Sequence, residues 1–359
     1  MTARDAAADL SQVLNLAEFE ALAVERMSAA AYGYVAGGAW DEITLRESVD
    51  AWQRFRFVPR VLRDVSTVDV SGRFLGRRSA LPIAVAPTAA QALAHANAEA
   101  EMLAGAAAAG IPHTLSTTSS LSLEQVAAAA PDAERWFQLY VVGGMAYSRS
   151  LVERAEAAGY RAIVLTVDLP VLGRRERDVR TGFEMPALAH VDPAGDERDN
   201  RYGALADTNK AALTWDSLAE IRSWSSLPLV LKGILAPDDA IRAVQAGVDA
   251  LVVSTHGGRQ LDRVISTADA LRPIVQAVDG RSEVWVDGGI RRGLDVVAAL
   301  CLGATGALIG RPFYWALAAA GRQGVEHAAA IMRTELELAL ALLGCTSIDE
   351  LGPELLAQA

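Results

Sequence analysis

Eight short apolar runs, each closed by turn residues, limit what this chain can fold into more than any other feature. They are LPIAVAPT (81–88), IPHTLS (111–116), RWFQLYV (135–141), RAIVLTVDLP (161–170), LPLVLKG (227–233), DALVVSTHGG (249–258), SEVWVDGG (282–289) and TGALIGRP (305–312). Between most of them lie Ala/Leu-rich stretches with helical spacing that close on a glycine, at Gly110, Gly159 and Gly247. Glycine is the residue that most readily ends a helix in a left-handed cap. Strands that are apolar throughout and alternate with helices pair in parallel and are covered on both faces. Eight such units predict an α/β fold, a (β/α)8 TIM barrel, and 359 residues suit one barrel domain (1–359) with additions. The additions are an N-terminal helical extension before about residue 75, final helices from about 323 packed outside the barrel, and a long loop after the fourth strand. That loop, 181–215, has a charged centre, DPAGDERDN, with the character of a lid.

The chain is 52% hydrophobic with a mean hydropathy of +0.20, enough to bury a large core. A formal charge of −11 excludes a broad nucleic-acid or anionic-membrane surface, which needs clustered positive charge, but it leaves room for a basic pocket. The N-terminus lacks an apolar stretch of signal-peptide length and no run of 18 apolar residues occurs, so neither secretion nor a membrane span is expected. Cys301 and Cys345 sit in helix-like surroundings and read as reduced, buried thiols, neither a disulfide framework nor a metal site. The expectation is a cytoplasmic protein.

In such a barrel the active site lies at the C-terminal ends of the strands, and the unusual residues of this chain fall there. DGGIRRG (287–293) and IGRP (309–312) place glycines and arginines at neighbouring strand ends, where barrels commonly hold phosphate. A plain tight turn is the alternative for DGG. Of 33 basic residues only Lys210 and Lys232 are lysines. Lys232 ends an apolar strand: it is either a snorkelling surface lysine or a point charge for a cofactor ring that becomes anionic on reduction. His256 is either a core histidine or a base, and Arg259 beside it is shaped to clamp a carboxylate. Asp168 serves as a turn cap or orients the histidine. Arg175 is a second carboxylate contact or part of an exposed charged helix with Arg174, Arg177 and Arg180. Tyr34 and Tyr140 are core aromatics or phenolic donors.

Taken together, STHGGRQLD, TVDLPVLGRRERDVRTGF, LVLKGIL, VDGGIRRG, LIGRPF, WFQLY, APTAAQALAH and YGYVAGGAWDEITLRES resemble the FMN-dependent L-2-hydroxy acid oxidases and dehydrogenases, the group of glycolate oxidase, lactate oxidase and mandelate dehydrogenase. The resemblance runs from about residue 17 to 343. It implies that His256 takes the substrate's proton with Asp168 supporting it, and that Arg259, Arg175, Tyr34 and Tyr140 face the substrate. Lys232 would sit by the flavin N1 and O2 atoms. Pro87, Thr88, Ala89, Ser116, Gln138, Thr166 and Ser254 would contact the flavin, and Asp287, Gly289, Arg291, Gly310 and Arg311 would hold the ribityl chain and phosphate. The implied reaction oxidises an L-2-hydroxy acid to the 2-oxo acid with FMN as cofactor. The resemblance also implies a homotetramer.

Three positions depart from the family pattern, and the last two bear on the substrate. Thr255 replaces the family asparagine before the histidine, Thr118 stands where short-chain oxidases often carry tryptophan, and Val35 where an aromatic often follows the first substrate tyrosine. Less bulk predicts a larger or aromatic acid, mandelate-like, over glycolate. Ala89, where several dehydrogenases carry glycine, favours O2 as acceptor with H2O2 formed. The rival expectations are a dehydrogenase using another acceptor and an FMN-dependent isomerase without net redox.

Overall fold

The structure, a computed structural model, describes residues 9–191 and 212–357. The chain enters through three helices, α1 (Glu18–Arg26), α2 (Ala29–Ala36) and α3 (Ile43–Gln53), and a hairpin of β1 (Gly72–Phe74) and β2 (Arg77–Ser79). The barrel strands follow: β3 (Ile83–Val85), β4 (His113–Ser116), β5 (Arg135–Leu139), β6 (Ile163–Thr166), β7 (Leu229–Ile234), β8 (Ala250–Val253), β9 (Glu283–Asp287) and β10 (Gly306–Ile309). They pair in chain order, all parallel, and β10 closes on β3. Each of the eight apolar runs therefore contributes one strand. Between and after them come α4 (Ala98–Ala109), α5 (Leu123–Ala129), α6 (Met145–Ala157), α7 (Glu176–Thr181), α8 (Trp215–Arg222), α9 (Pro237–Gln245), α10 (Thr267–Val278), α11 (Gly293–Cys301) and α12 (Arg311–Leu343).

Because successive strand residues face opposite sides, each run supplies two cores. Trp136, Val164, Val230, Val252, Trp285 and Leu308 fill the barrel interior, while Phe137, Leu165, Leu231, Leu251 and Val286 meet the helices. The interior is a packed plug, so the strand mouths are left as the place for chemistry.

The helical extension expected before about residue 75 is α1–α3, and at its end the chain adds the β1–β2 hairpin. Its Phe74 packs edge-on against Trp136 and Trp285, at 5.5 and 5.2 Å between centroids, and the two indoles stack at 4.8 Å. Glu283 accepts from the backbone N–H groups of Leu75 and Gly76 and from the indole N–H of Trp285, which fixes the hairpin over the end opposite the site. The final outer helix begins just after a break, close to the expected residue 323. Helix α12 starts at Arg311 and breaks at Ala320 and Gly321, where φ/ψ leaves the helical region. Cys301 and Cys345 are free and buried, and burial pushes the Cys301 thiol up to about 12. The centre of the expected lid, residues 192–211, lies outside the described residues. Its leading shoulder includes buried His190, whose Nε2 accepts from the Leu123 backbone N–H at 2.9 Å. No helix among the described residues is long and apolar enough to cross a membrane.

Candidate functional site

A cleft of about 1030 Å³, measured out to its open mouth, lies at the C-terminal ends of the strands. Every site residue expected from sequence lines it except Asp168, Gln138 and Ser254. Those three stand immediately behind the wall and hold residues that do line it. Gln138 donates to the Thr166 hydroxyl at 3.0 Å and accepts from Ser116 at 3.1 Å; Ser254 accepts from Lys232 at 2.9 Å.

At one end of the cleft His256 follows β8 with φ of 55°, a left-handed conformation that is uncommon for a side-chain-bearing residue and tends to mark functional positions. Two contacts hold it there: its backbone N–H donates to Ser254 Oγ at 3.0 Å and its Nδ1 lies 2.8 Å from Asp168 Oδ1. A carboxylate at that distance accepts a hydrogen bond from Nδ1–H, so Nε2 carries the lone pair. The Tyr140 hydroxyl is 3.2 Å from Nε2. Burial lowers the His256 pKa, only partly offset by Asp168, so the imidazole is neutral at pH 7 and free to accept a proton. Burial also raises the Tyr140 phenol, assisted by Asp168, which keeps it a donor.

Asp168 follows β6 and crosses β7 to reach His256. The crossing depends on Gly233, at a register shift in β7: a Cβ there would stand 2.6 Å from Asp168 Cβ, and its φ of +115° strains any other residue. The sequence LKGI thus encodes a bulge next to the site.

Four guanidinium groups share the cleft. Arg175 is buried at 6% exposure, which rejects the exposed-helix alternative: α7 begins one residue later, Arg174 and Arg180 are exposed, and half-buried Arg177 pairs with Glu42 at 2.6 Å. Burial lowers the Arg175 pKa to about 10, reinforced by repulsion from Arg259. Arg259 lies 4.7 Å over the Tyr34 ring, which stacks on Phe183 at 4.3 Å. It also donates to the carbonyls of Tyr34 and Gly37 at the C-terminus of α2. Arg311 joins it there, donating to Val35 and Gly37 at 2.9 and 3.0 Å and to Gly257 at 2.9 Å. Cations suit the negative end of a helix, so the N-terminal extension is tied to the site by charge. Burial and three neighbouring arginines hold Arg311 well below its ordinary value. Such crowded positive charge in an acidic protein calls for anions.

Lys232 and Asp287 form a buried pair at 2.9 Å. Burial alone would lower the lysine, but Asp287 and then Asp168 outweigh it and raise its pKa. The second carboxylate oxygen of Asp287 is buried with no hydrogen-bond partner among the described residues. Leaving such an acceptor unmet costs about 1–3 kcal/mol, so the site expects a donor, such as a sugar hydroxyl. Sequence reasoning missed Leu169, Ile290 and Tyr314, which also line the cleft. Leu169 directly follows Asp168 and was within reach of the motif; Ile290 and Tyr314 read as ordinary core residues.

A buried base, paired arginines, a lysine at the centre and an anion-ready corner at the mouth of a parallel barrel define a flavin-dependent oxidoreductase. Residues 23–358 match the model of the FMN-dependent dehydrogenase family, and the chain belongs to that family. Within it the chain is similar to the 2-hydroxy acid oxidases. It is 45% identical to the L-lactate oxidase of Nostoc sp. over 97% of this chain and 99% of that one, and 42% identical to the glycolate oxidase of Spinacia oleracea over 95% of each. The crystal structure of a mandelate oxidase with (S)-4-hydroxymandelic acid superposes with a TM-score of 0.89 at 42% identity, covering 96% of this chain and 98% of that one. The orphaned Asp287 oxygen, the buried Lys232 and the Arg291/Arg311 corner are a donor and acceptor set that fits FMN.

Proposed function

We propose that the protein oxidises a bulky or aromatic L-2-hydroxy acid to its 2-oxo acid and passes the electrons to O2, forming H2O2. The carrying observation is His256, oriented by Asp168 at 2.8 Å, in one cleft with Arg175 and Arg259. Arg175 and Arg259 grip the substrate carboxylate, each guanidinium presenting a planar fork matched to it. Tyr140 donates to the substrate's 2-hydroxyl side, and His256 Nε2 takes up a proton as the hydroxyl carbon becomes a carbonyl. Asp168 stabilises the imidazolium that results. FMN, when bound, would supply the acceptor for the two electrons and the second hydrogen that leave the substrate. Lys232 would supply positive charge beside the flavin ring, Ser116, Thr166 and the backbone of Pro87–Ala89 would line it, and Asp287, Arg291 and Arg311 would hold the ribityl and phosphate groups.

Substrate size follows from Thr118 and Val35, small residues that both line the cleft. The likeness to mandelate oxidases supports the same reading. Ala89, also in the wall, supports O2 as acceptor. Anaerobic mixing with L-mandelate, L-lactate and glycolate tests it: the flavin absorbance should bleach fastest with mandelate, and the same mixture in air should yield peroxide. A protein bleached by none of them refutes the hydroxy-acid reading. Bleaching without peroxide in air moves the acceptor away from O2.

A further inference from the structure

The motif that carries His256 and Arg259 continues with two polar residues that the chemistry above does not use, Gln260 and Asp262. Asp262 caps a helix: its carboxylate accepts from the backbone N–H groups of Ile43 and Thr44, the first residues of α3. Gln260 does something different. It is buried at 8% exposure, and its amide makes four hydrogen bonds, all to the segment that leads from β6 to α7. Oε1 accepts from Gly173 N–H at 3.2 Å and from the Arg175 guanidinium at 3.4 Å; Nε2 donates to the carbonyls of Asp168 at 3.1 Å and Val171 at 2.9 Å. That is the full capacity of a carboxamide.

Asp168 and Arg175 sit on one irregular segment, His256 and Arg259 on another. Neither segment is held by strand pairing at these positions. The two backbones press together: a Cβ on Gly173 would lie 2.5 Å from the Arg259 carbonyl oxygen and 2.8 Å from Gln260 Cα, so only glycine permits the approach. Arg175 Nε also donates to the Arg259 carbonyl at 3.3 Å.

We propose that Gln260 is a positioning residue that holds Asp168 in register with His256 and Arg175 in register with Arg259, so that base and carboxylate clamp keep one geometry. This role rests on the hydroxy-acid reading. The donor half of the amide serves the base and the acceptor half serves the clamp. A saturated contact of this kind fixes an active site better than charge alone, because each hydrogen bond also has a direction.

Two variants of the FMN-loaded enzyme separate the halves, with wild type measured alongside and all values expressed per bound flavin. Gln260→Met keeps length and loses every hydrogen bond. KM for L-mandelate and the inhibition constant of benzoylformate should each rise about tenfold or more, and kcat should fall by a similar factor. Its kcat/KM inflection should move to lower pH as His256 loses part of the hold of Asp168. Gln260→Glu keeps the acceptor side and loses the donors, so KM and the inhibition constant should return towards wild type while kcat stays low. A stability role alone would lower the melting temperature of both and leave KM, kcat and the pH inflection per flavin unchanged, which overturns the proposal. If Gln260→Met does not fold, wild-type kcat in Gln260→Glu overturns it alone. A wild type that oxidises no 2-hydroxy acid overturns this role together with the hydroxy-acid reading; an active wild type with unmoved variants overturns this role only.

Discussion

Asp168 reaches His256 across a full barrel strand, and the 2.8 Å contact between them fixes which imidazole nitrogen is left to act. Since burial places the His256 pKa below its ordinary value of 6.5, the imidazole is deprotonated, and able to serve as the proposed base, above that pKa. Activity is present above that pKa and is lost as pH falls through it. The log of kcat/KM should therefore rise with unit slope to an inflection below 6.5 and then level. His256→Gln should lower kcat by about 10²–10⁴-fold, the usual range for removing a general base, with FMN still bound. An inflection above 7 would contradict the buried, neutral imidazole.

Gly233 makes that contact possible, which gives a second expectation. Gly233→Ala would drive a methyl group into Asp168 Cβ at 2.6 Å and its backbone nitrogen at 2.9 Å, at a φ unsuited to alanine. The Asp168 segment must shift. We expect a loss of about 1–3 kcal/mol in stability and a drop in kcat of at least tenfold, comparable with Asp168→Asn. Urea unfolding and steady-state kinetics on the same preparation check both.

The Lys232–Asp287 pair yields a third. Both side chains are almost completely buried, so removing one leaves the other as an uncompensated charge. Lys232→Met should destabilise the protein by about 3–5 kcal/mol, the range for breaking a buried ion pair from one side. Asp287→Asn in the same chain should recover part of that loss, since the orphaned carboxylate is then gone. Thermal denaturation of the two variants measures it; equal stability in both would mean that the charge on Asp287 is not what destabilises Lys232→Met.

Much of this was legible in the chain. The eight strands announced themselves because a parallel barrel buries both faces of every strand, and that demands continuous apolar runs. The residues at their C-terminal ends stood out because nothing in core packing calls for His256, Arg259 or Lys232 there. Other features depended on partners far away in sequence. The β1–β2 hairpin is too short and too rich in arginine to read as a strand pair, and only the Trp136–Trp285 stack shows why Phe74 is there. The ties from Arg311 to the end of α2, and from Gln260 to the Asp168 segment, join backbone carbonyls that no side-chain pattern reveals. Gln138 and Ser254, expected as cofactor contacts, meet the cleft through residues that line it, Gln138 through Ser116 and Thr166 and Ser254 through Lys232.

Pocket size gives the last expectation. Thr118 lies in the wall with its hydroxyl 2.8 Å from Ser116 Oγ, and Val35 lines the same cleft. A tryptophan at 118 would add an indole to that wall and take up the room left for a substrate side chain. Rejection by bulk is stronger than the attraction of an extra methylene, which is worth about 1–3 kcal/mol or 10–200-fold in discrimination. Thr118→Trp should therefore lower kcat/KM for L-mandelate by at least tenfold while changing glycolate little, or improving it through closer packing. The ratio of the two specificity constants is the measurement, because it cancels any general loss of flavin or stability. If the ratio stays at its wild-type value, the side chain of the substrate does not lie against Thr118, and the proposed preference for bulky acids loses its support from this part of the cleft.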